Sequence, residues 1–349
     1  MRAVVMREFG AEDVLALEEV EAPSPGPGEA LIRVAAVEVS RTRDVATRTG
    51  KHPFSQFVSL PHVLGGDCAG TVEEVGDGVS QDLVGQRVTA SATQTCGECP
   101  QCQMGRHERC AQLSLLGVHR EGSYAELAVV EARVVRPIPD GLSFAEAAAL
   151  AADGAIAFHQ LQTAGVEGEH VLVTGATGAL GTTLCALAPE LGAETIGLAR
   201  RPEAIPADLE LAARLDANDP ELTARLLEVS GEGGLGVAID NVANPDAFSR
   251  YFMALAIGAR VVFSGAIATP EGLPVLPVPA VPLYVKSISL LGTRTSPQAT
   301  DDRFWELVAG GFRLPPGLVH ELPLERAAEA HAQIAAGTQL GHTVLTIQS

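Results

Sequence analysis

Val171-Leu-Val-Thr-Gly175-Ala-Thr-Gly178-Ala-Leu-Gly181 decides the fold. An apolar run, Val171–Thr174, meets a turn punctuated by glycines, and a helix is expected after it, to about Leu191. Small residues let such a backbone turn tightly and approach a pyrophosphate. The helix N-terminus then aims free N–H groups and its positive dipole end at that phosphate. Gly175, Thr177, Gly178, Ala179, Leu180 and Gly181 are the candidate cofactor-binding residues of this turn. A glycine triplet alone is weak evidence, and an ordinary strand-to-helix turn is the competing reading. Here the triplet follows a strand and heads an alternating series, which is the context that gives it meaning. Pro189 predicts a kink or an early helix end, because proline inside a helix loses a hydrogen bond.

Downstream the alternation continues. Strands are expected at Thr195–Ala199, Val237–Asn241 and Ala259–Ser264, and helices at Pro220–Val229 and Asp246–Ala254. This is the βαβ signature of a doubly wound parallel sheet. A proline-rich stretch, Leu273–Pro282, interrupts it. A helix near Glu325–Ala336 and a strand at Thr343–Ile347 close the chain. Upstream, Ser143 with Glu146 reads as a capping box that opens a helix. The first 140 or so residues are β-rich, with apolar runs at Ala30–Val39, Ala69–Val75, Arg87–Ala90 and Ala125–Val130.

Length and charge narrow the function. The chain has 349 residues, enough for two domains at about 150 residues each. A net charge of −19 argues against nucleic acid or anionic lipid as a partner. With only ten Phe, three Tyr and one Trp, a base-stacking platform is not expected. The uncharged segment Val171–Pro189 approaches the length of a membrane span, but its glycines and proline favour strand, turn and helix. The N-terminus has no signal-peptide pattern. A soluble, cytoplasmic protein with a small-molecule substrate is expected.

The end of the second strand selects the cofactor. An NAD site usually offers an acid to the ribose 2′-hydroxyl about 20 residues after the glycines. Here the strand ends Ala199-Arg200-Arg201, and no acid lies between Gly197 and Pro202. Two guanidiniums chelate a 2′-phosphate well, so NADPH is favoured over the alternative of two solvated arginines.

Four of six cysteines crowd into Cys96-Gly-Glu-Cys99-Pro-Gln-Cys102-Gln-Met-Gly-Arg-His-Glu-Arg-Cys110. Four thiolates complete a tetrahedral Zn²⁺ and leave no open position, so the expected zinc is structural. An iron–sulfur cluster and free thiols are the alternatives. His107 is either a spare ligand or a solvated loop residue. Cys68 reads as a small core residue.

The chain resembles the medium-chain dehydrogenase/reductase superfamily nearly end to end. The resemblance rests on the loop Pro23–Gly28, on Gly65-Gly-Asp67-Cys-Ala-Gly70-Thr-Val-Glu-Glu-Val-Gly76-Asp-Gly78-Val79, and on Val84-Gly-Gln-Arg-Val88. It also rests on the cysteine lobe, Gly122-Ser-Tyr-Ala-Glu126, the glycine turn, Val237-Ala-Ile-Asp240-Asn241 and Gly341-His-Thr-Val-Leu345. It implies an α/β protein: a GroES-like β-rich catalytic domain, 1–153 and 297–349, with a zinc lobe at 94–112. A Rossmann domain, 154–296, is inserted between. It further implies an active site in the interdomain cleft, a cofactor contact at Arg41 and Asn241, and a homodimer or homotetramer paired near Ser287–Thr293.

Departures from the family pattern bear on the chemistry. The zinc alcohol dehydrogenases hold a catalytic zinc through a Cys, a His in Gly-His-Glu, and a second Cys. Here those positions are Ser40 (or Arg41), Gly66 and Ala152 or Asp153. The structural zinc looks retained and the catalytic zinc lost, unless Asp67, Asp153, His52 and His62 rebuild a site. Hydride addition to a carbon conjugated to a carbonyl needs less electrophilic help than ketone reduction. The expectation is therefore an NADPH-dependent reductase of enones, enoyl compounds or quinones, as in the zinc-independent relatives. An alcohol or carbonyl dehydrogenase is one alternative. An NADPH-binding sensor or cyclase-like protein without redox turnover is the other. Ser40, Thr42 and Asp153 are the candidate catalytic residues. Asp153 is either a proton donor or a helix cap. Arg41 and Arg43 bind cofactor pyrophosphate or a substrate anion, or face solvent. His52 and Tyr124 are cleft candidates by proximity in the family fold. The loops around Arg43–Leu60 and Leu273–Leu283 suggest a fairly hydrophobic substrate.

Overall fold

The computed structural model describes residues 1–265 and 275–348, so Leu273 and Pro274 of the proline-rich loop lie outside the described residues. The chain divides into two compact units. One comprises Met1–Asp153, Trp305–Phe312 and the chain from Val319 on; the other comprises Gly154–Phe304 and Arg313–Leu318. No helix among the described residues is long and apolar enough to cross a membrane.

The second unit is built on six parallel strands, spatially ordered Ala213–Asp216, Glu194–Ala199, His170–Thr174, Leu235–Asp240, Leu255–Phe263 and Ser289–Gly292. In chain order this is 3-2-1-4-5-6, with the switch point beside the first strand, where such sheets bind dinucleotides. The central strands are apolar along their length and buried on both faces, as parallel strands covered by helices must be. Ala213–Asp216 escaped the sequence pattern because Ala-Arg-Leu-Asp carries no β-branched residue. The helix after the glycine turn runs Ala179–Leu187, and Pro189 opens a separate 3₁₀ turn, Pro189–Leu191, so the helix ends early as expected.

One buried carboxylate ties the sheet centre together. Asp240, at the end of the fourth strand, accepts from Thr174 Oγ1 at 2.8 Å, from the backbone of Val242 and Ala243, and from the Tyr251 hydroxyl at 2.6 Å. Burial and the neighbouring Asp240 push the Tyr251 hydroxyl far above its ordinary pKa, so it stays a donor.

The first unit is organised by the ten-residue strand Glu29–Glu38. Cys68–Val75 pairs along one edge. On the other edge Leu127–Glu131 pairs with its first half, and the C-terminal strand His342–Thr346 with its last residues. Val319–Pro323 continues the sheet in parallel with His342–Thr346. Ser143 and Glu146 form the expected capping box on the helix Phe144–Leu150. A smaller antiparallel sheet joins Leu15–Glu19, Arg2–Met6 and His62–Val63. Cys68 is fully buried in the core of this unit, in keeping with the sequence reading.

Tyr251→Phe removes a hydrogen bond to a buried charge. We expect it to lower unfolding stability by about 2 kcal/mol, with Thr174→Val similar, both measured by urea denaturation.

Candidate active site and metal centre

The short ladder Thr93–Gln94 with Ser114–Leu115 closes the base of the cysteine loop. Within it the sulfurs of Cys96, Cys99, Cys102 and Cys110 all lie within 4.8 Å of one another. Cys96 Sγ is 3.9 Å from Cys102 Sγ and 3.6 Å from Cys110 Sγ. A tetrahedral zinc with Zn–S near 2.3 Å sets its sulfurs about 3.8 Å apart, so the donor set fits that ion. The Cys99 N–H donates to Cys96 Sγ, and this with the Glu98 amide draws the Cys96 thiol down to about 7. Burial and the adjoining sulfurs push Cys102 up to about 12, the opposition expected of crowded thiols, which a divalent cation relieves. His107 lies on the 3₁₀ turn His107–Arg109 and is not a member of this donor group.

After Glu38 the chain turns sharply. Ser40 Oγ accepts from the Arg43 amide, and residues Arg41–Val45 form a single π turn. Such one-residue expansions cluster at functional sites. Here the turn drives Arg43 and Asp44 inward. Asp44 accepts from the Ser40 amide at 2.7 Å and from Arg43 Nε and Nη2 at 3.0 and 3.1 Å. Arg43 Nη1 donates to Asp67, which also accepts from the Ala92 amide at 2.7 Å. Burial works against the charge on Arg43, but Asp44 and Asp67 outweigh it and hold its pKa well above the ordinary value. The solvent-facing alternative for Arg43 is therefore wrong, because two carboxylates sequester it.

Gly66 shows what that arrangement requires. A Cβ placed there would stand 2.5 Å from Arg43 Cζ and 2.4 Å from the Ala92 Cβ. The guanidinium thus occupies the space into which a side chain at 66 would project. A histidine at 66 and Arg43 in this position exclude one another.

Asp153 opens the helix Asp153–Ala164 and is half-buried. Its carboxylate lies within 4.8 Å of donor atoms of Glu38 and His342, both buried. Burial first, then the Glu38 charge, pushes the Asp153 pKa well above the carboxylate range, with His342 opposing. Asp67, His52 and His62 do not join Asp153 in a ligand group among the described residues. Asp67 is taken by Arg43, and His62 faces Glu121 at 3.7 Å. The rebuilt site imagined from those four residues is not what the fold assembles.

The other sequence candidates are distributed around this centre. Thr42 Oγ1 lies 3.4 Å from Ser40 Oγ. Tyr124 is fully buried, its ring against His331 and its hydroxyl 3.1 Å from His331 Nε2. His331 Nδ1 accepts from the buried Arg48, and burial draws His331 down to about 4, so it is neutral. Tyr124 is therefore a packed supporting residue. The His52 ring lies tilted against Phe54, which with Phe57 and His119 forms an aromatic cluster. Sequence reasoning missed Glu38, Asp44, His331 and His342. Glu38 alone left a signal: an acid closing the apolar run Val34–Val37.

In the second unit Gly175 takes φ +69°, a conformation that favours glycine, and a Cβ on Gly181 would lie 2.1 Å from the Gly175 carbonyl oxygen. The helix beginning at Ala179 has no side-chain cap, so its first N–H groups face the turn. Arg200 and Arg201 are exposed just beyond the second strand. Asp216 lies opposite Ala199 on the neighbouring strand, its carboxylate accepting from the Asn218 amide. The Asn241 side chain pairs reciprocally with Gln160.

Comparison with known proteins agrees with this architecture. Residues 26–140 match the alcohol dehydrogenase GroES-like domain family, and residues 179–309 the zinc-binding dehydrogenase family. The chain is 30% identical over 329 residues to an L-galactonate-5-dehydrogenase of Escherichia coli, covering 91% of each protein. It is 30% identical over 349 residues to a human quinone oxidoreductase, covering 97% of this chain and 95% of that one. A solved structure of an NAD-dependent alcohol dehydrogenase superposes with a TM-score of 0.87 at 31% identity, covering 100% of both chains.

Elemental analysis of the purified protein is expected to find about one zinc per chain. Cys102→Ser is expected to lose it and to lower the melting temperature, as is exhaustive chelation.

Proposed function

The chain belongs to the medium-chain dehydrogenase/reductase superfamily of oxidoreductases, and on that premise we propose that it is an NADPH-dependent reductase working without a catalytic zinc. Its substrate is a small, hydrophobic compound carrying a C=C bond conjugated to a carbonyl, or a quinone. The observation that carries this reading is the Arg43 guanidinium, clamped by Asp44 and Asp67 in the space beside Gly66. That space is where the zinc enzymes of the superfamily place a histidine ligand. A histidine cannot enter it here, and Ser40 and Gly66 replace two of the three ligands.

When bound, the reduced nicotinamide supplies the hydride. Gly175, Thr177, Gly178, Ala179, Leu180 and Gly181 hold its pyrophosphate, with Arg41 and Asn241 as further contacts. Arg200 and Arg201 take the 2′-phosphate, in the absence of an acid at Ala199. Asp153 supplies the proton to the α-carbon. A carboxyl whose pKa is raised by burial and by Glu38 holds its proton to higher pH than an ordinary carboxyl, which suits it to act as an acid. Ser40 and Thr42 offer hydroxyls to the enolate oxygen. The cluster of Phe54, Phe57, His52 and His119 supports a hydrophobic substrate, since Phe57 is 55% exposed. Cys96, Cys99, Cys102 and Cys110 hold one structural Zn²⁺.

The protein assembles as a homodimer or homotetramer in this reading. Ser289–Gly292 is the outermost strand of its sheet, and Ile257, Tyr284 and Val285 are exposed in the same unit at 82%, 70% and 61%. An open edge with apolar neighbours invites pairing with a second copy.

The test is sustained NADPH oxidation with a panel of enones and quinones, set against NADP⁺ reduction with alcohols. Turnover of the first panel alone, with about one zinc per chain, is expected. Two zincs per chain with alcohol oxidation would favour the dehydrogenase reading, and tight NADPH binding without turnover the non-redox one. Asp153→Asn is expected to lower kcat about a hundredfold. In the parent enzyme kcat/KM should fall as pH rises through the raised Asp153 pKa, because the acid form is the active one. Arg200→Ala with Arg201→Ala should weaken NADPH binding by roughly tenfold to a hundredfold, read by cofactor fluorescence, and leave NADH binding unchanged.

A further inference from the structure

Glu38 and His342 have no place in the reaction described so far, yet they are among the most buried ionisable side chains of the unit, 3% and 0% exposed. The fold brings them together through strand register. Glu38 stands opposite Val344, and His342 lies two residues before Val344, on the same face. The Val39 amide donates to the Thr343 carbonyl at 2.9 Å, which fixes that register. His342 Nδ1 sits 2.5 Å from Glu38 Oε1, and both residues have donor atoms within 4.8 Å of the Asp153 carboxylate.

The distance decides what the pair holds. Two ligands of one zinc-sized ion, each about 2.0–2.1 Å from it at a tetrahedral angle, stand about 3.3 Å apart. The two stand closer than co-ligands of one ion, and Glu38 and His342 hydrogen-bond directly. The surrounding charges are Asp67, Asp44 and Arg43, with the Glu38 amide donating to the Asp67 carbonyl at 2.8 Å. Arg43 is the one guanidinium among these acids and is already committed to Asp44 and Asp67. Protons on Glu38 and Asp153 therefore relieve the remaining negative charge. Burial favours the neutral forms of both acids and of the imidazole.

We propose that Glu38 and His342 are positioning residues that set, in opposite senses, the pH at which Asp153 holds its proton. This rests on Asp153 as the proton donor. Glu38 hydrogen-bonds the imidazole and so competes for it with Asp153, whose pKa His342 lowers. The two carboxyls also lie within 4.8 Å of one another, so ionisation of either one resists ionisation of the other. Without Glu38, Asp153 is the nearest carboxylate to an imidazole and ionises more readily. Without His342, two carboxyls face each other alone, and the second of them loses its proton only at higher pH.

The experiment compares Glu38→Gln and His342→Gln with the parent enzyme, using cyclohexenone and menadione as acceptors. The high-pH limb of kcat/KM is expected to move down by about one pH unit in Glu38→Gln and up by about one in His342→Gln. A merely structural role lowers stability or kcat and leaves the limb in place. Glu38→Met and His342→Asn replace either variant if it does not fold, with shifts of the same sign. The Asp153 carboxyl is also titrated in cofactor-free protein by carbon-13 NMR, its signal assigned by loss in Asp153→Asn. Opposite shifts in that titration with an unmoved kinetic limb would sink the donor role and leave the control of Asp153 standing. An unmoved NMR midpoint, or shifts of one sign, would overturn the inference, as would a second zinc lost from both variants.

Discussion

The pairing of Glu29–Glu38 along both edges is the constraint from which the catalytic unit follows. One edge takes Cys68–Val75 and so delivers Asp67 to the strand's end. The other takes His342–Thr346, a segment some 300 residues distant in sequence, and so delivers His342. Where the strand stops, the π turn at Arg41–Val45 drives Arg43 and Asp44 inward. Glu38, His342, Asp67 and Asp153 thus stand at or beside the ends of strands or helices, and Arg43 and Asp44 within the turn that follows a strand. Their backbones are held by sheet and helix hydrogen bonds, so their side chains meet without long flexible loops.

Electrostatics then sorts the groups into two sets. Arg43, Asp44 and Asp67 form a closed ionic cluster in which the carboxylates accept from the guanidinium and from the Ser40 and Ala92 amides. A cluster so satisfied is fixed, and its charge is spent locally. Glu38, His342 and Asp153 form the second set, which lacks a guanidinium and is balanced by protons. The first set gives shape, and the second contains the carboxyl to which the proposed function assigns the proton. Asp153 is the member of the second set that retains solvent exposure, which makes it the group able to exchange a proton outward.

Much of the architecture was legible in the sequence because its signals are local. The Val171–Gly181 turn, the Ser143 capping box, the Pro189 helix stop and the cysteine spacing each lie within fifteen residues or so. Each found its counterpart at nearly the expected positions. The active centre was legible only in part. Asp153 stood out as an acid in an alanine-rich stretch, and Arg43 as an arginine close to the missing ligand. Their partners did not, because Glu38 meets His342 through pairing across 304 residues. Nor was the burial of Arg43 readable. It depends on one extra residue in a turn and on the absence of a side chain at Gly66, and neither leaves a periodic pattern.

The fit between Gly66 and Arg43 also acts as an evolutionary ratchet. Introducing a histidine at 66 while Arg43 remains brings its Cβ within 2.5 Å of the guanidinium carbon. Removing Arg43 first leaves Asp44 and Asp67 buried without their counter-charge, a loss of about 3–5 kcal/mol. Either single step descends into a valley, and even changing both residues together leaves a Cβ at 66 only 2.4 Å from the Ala92 Cβ, so a histidine there also needs the backbone around Ala92 to shift. Positions 43, 66 and 92 thereby keep a histidine out of position 66 in descendants of this chain, whatever the substrate pocket around them becomes.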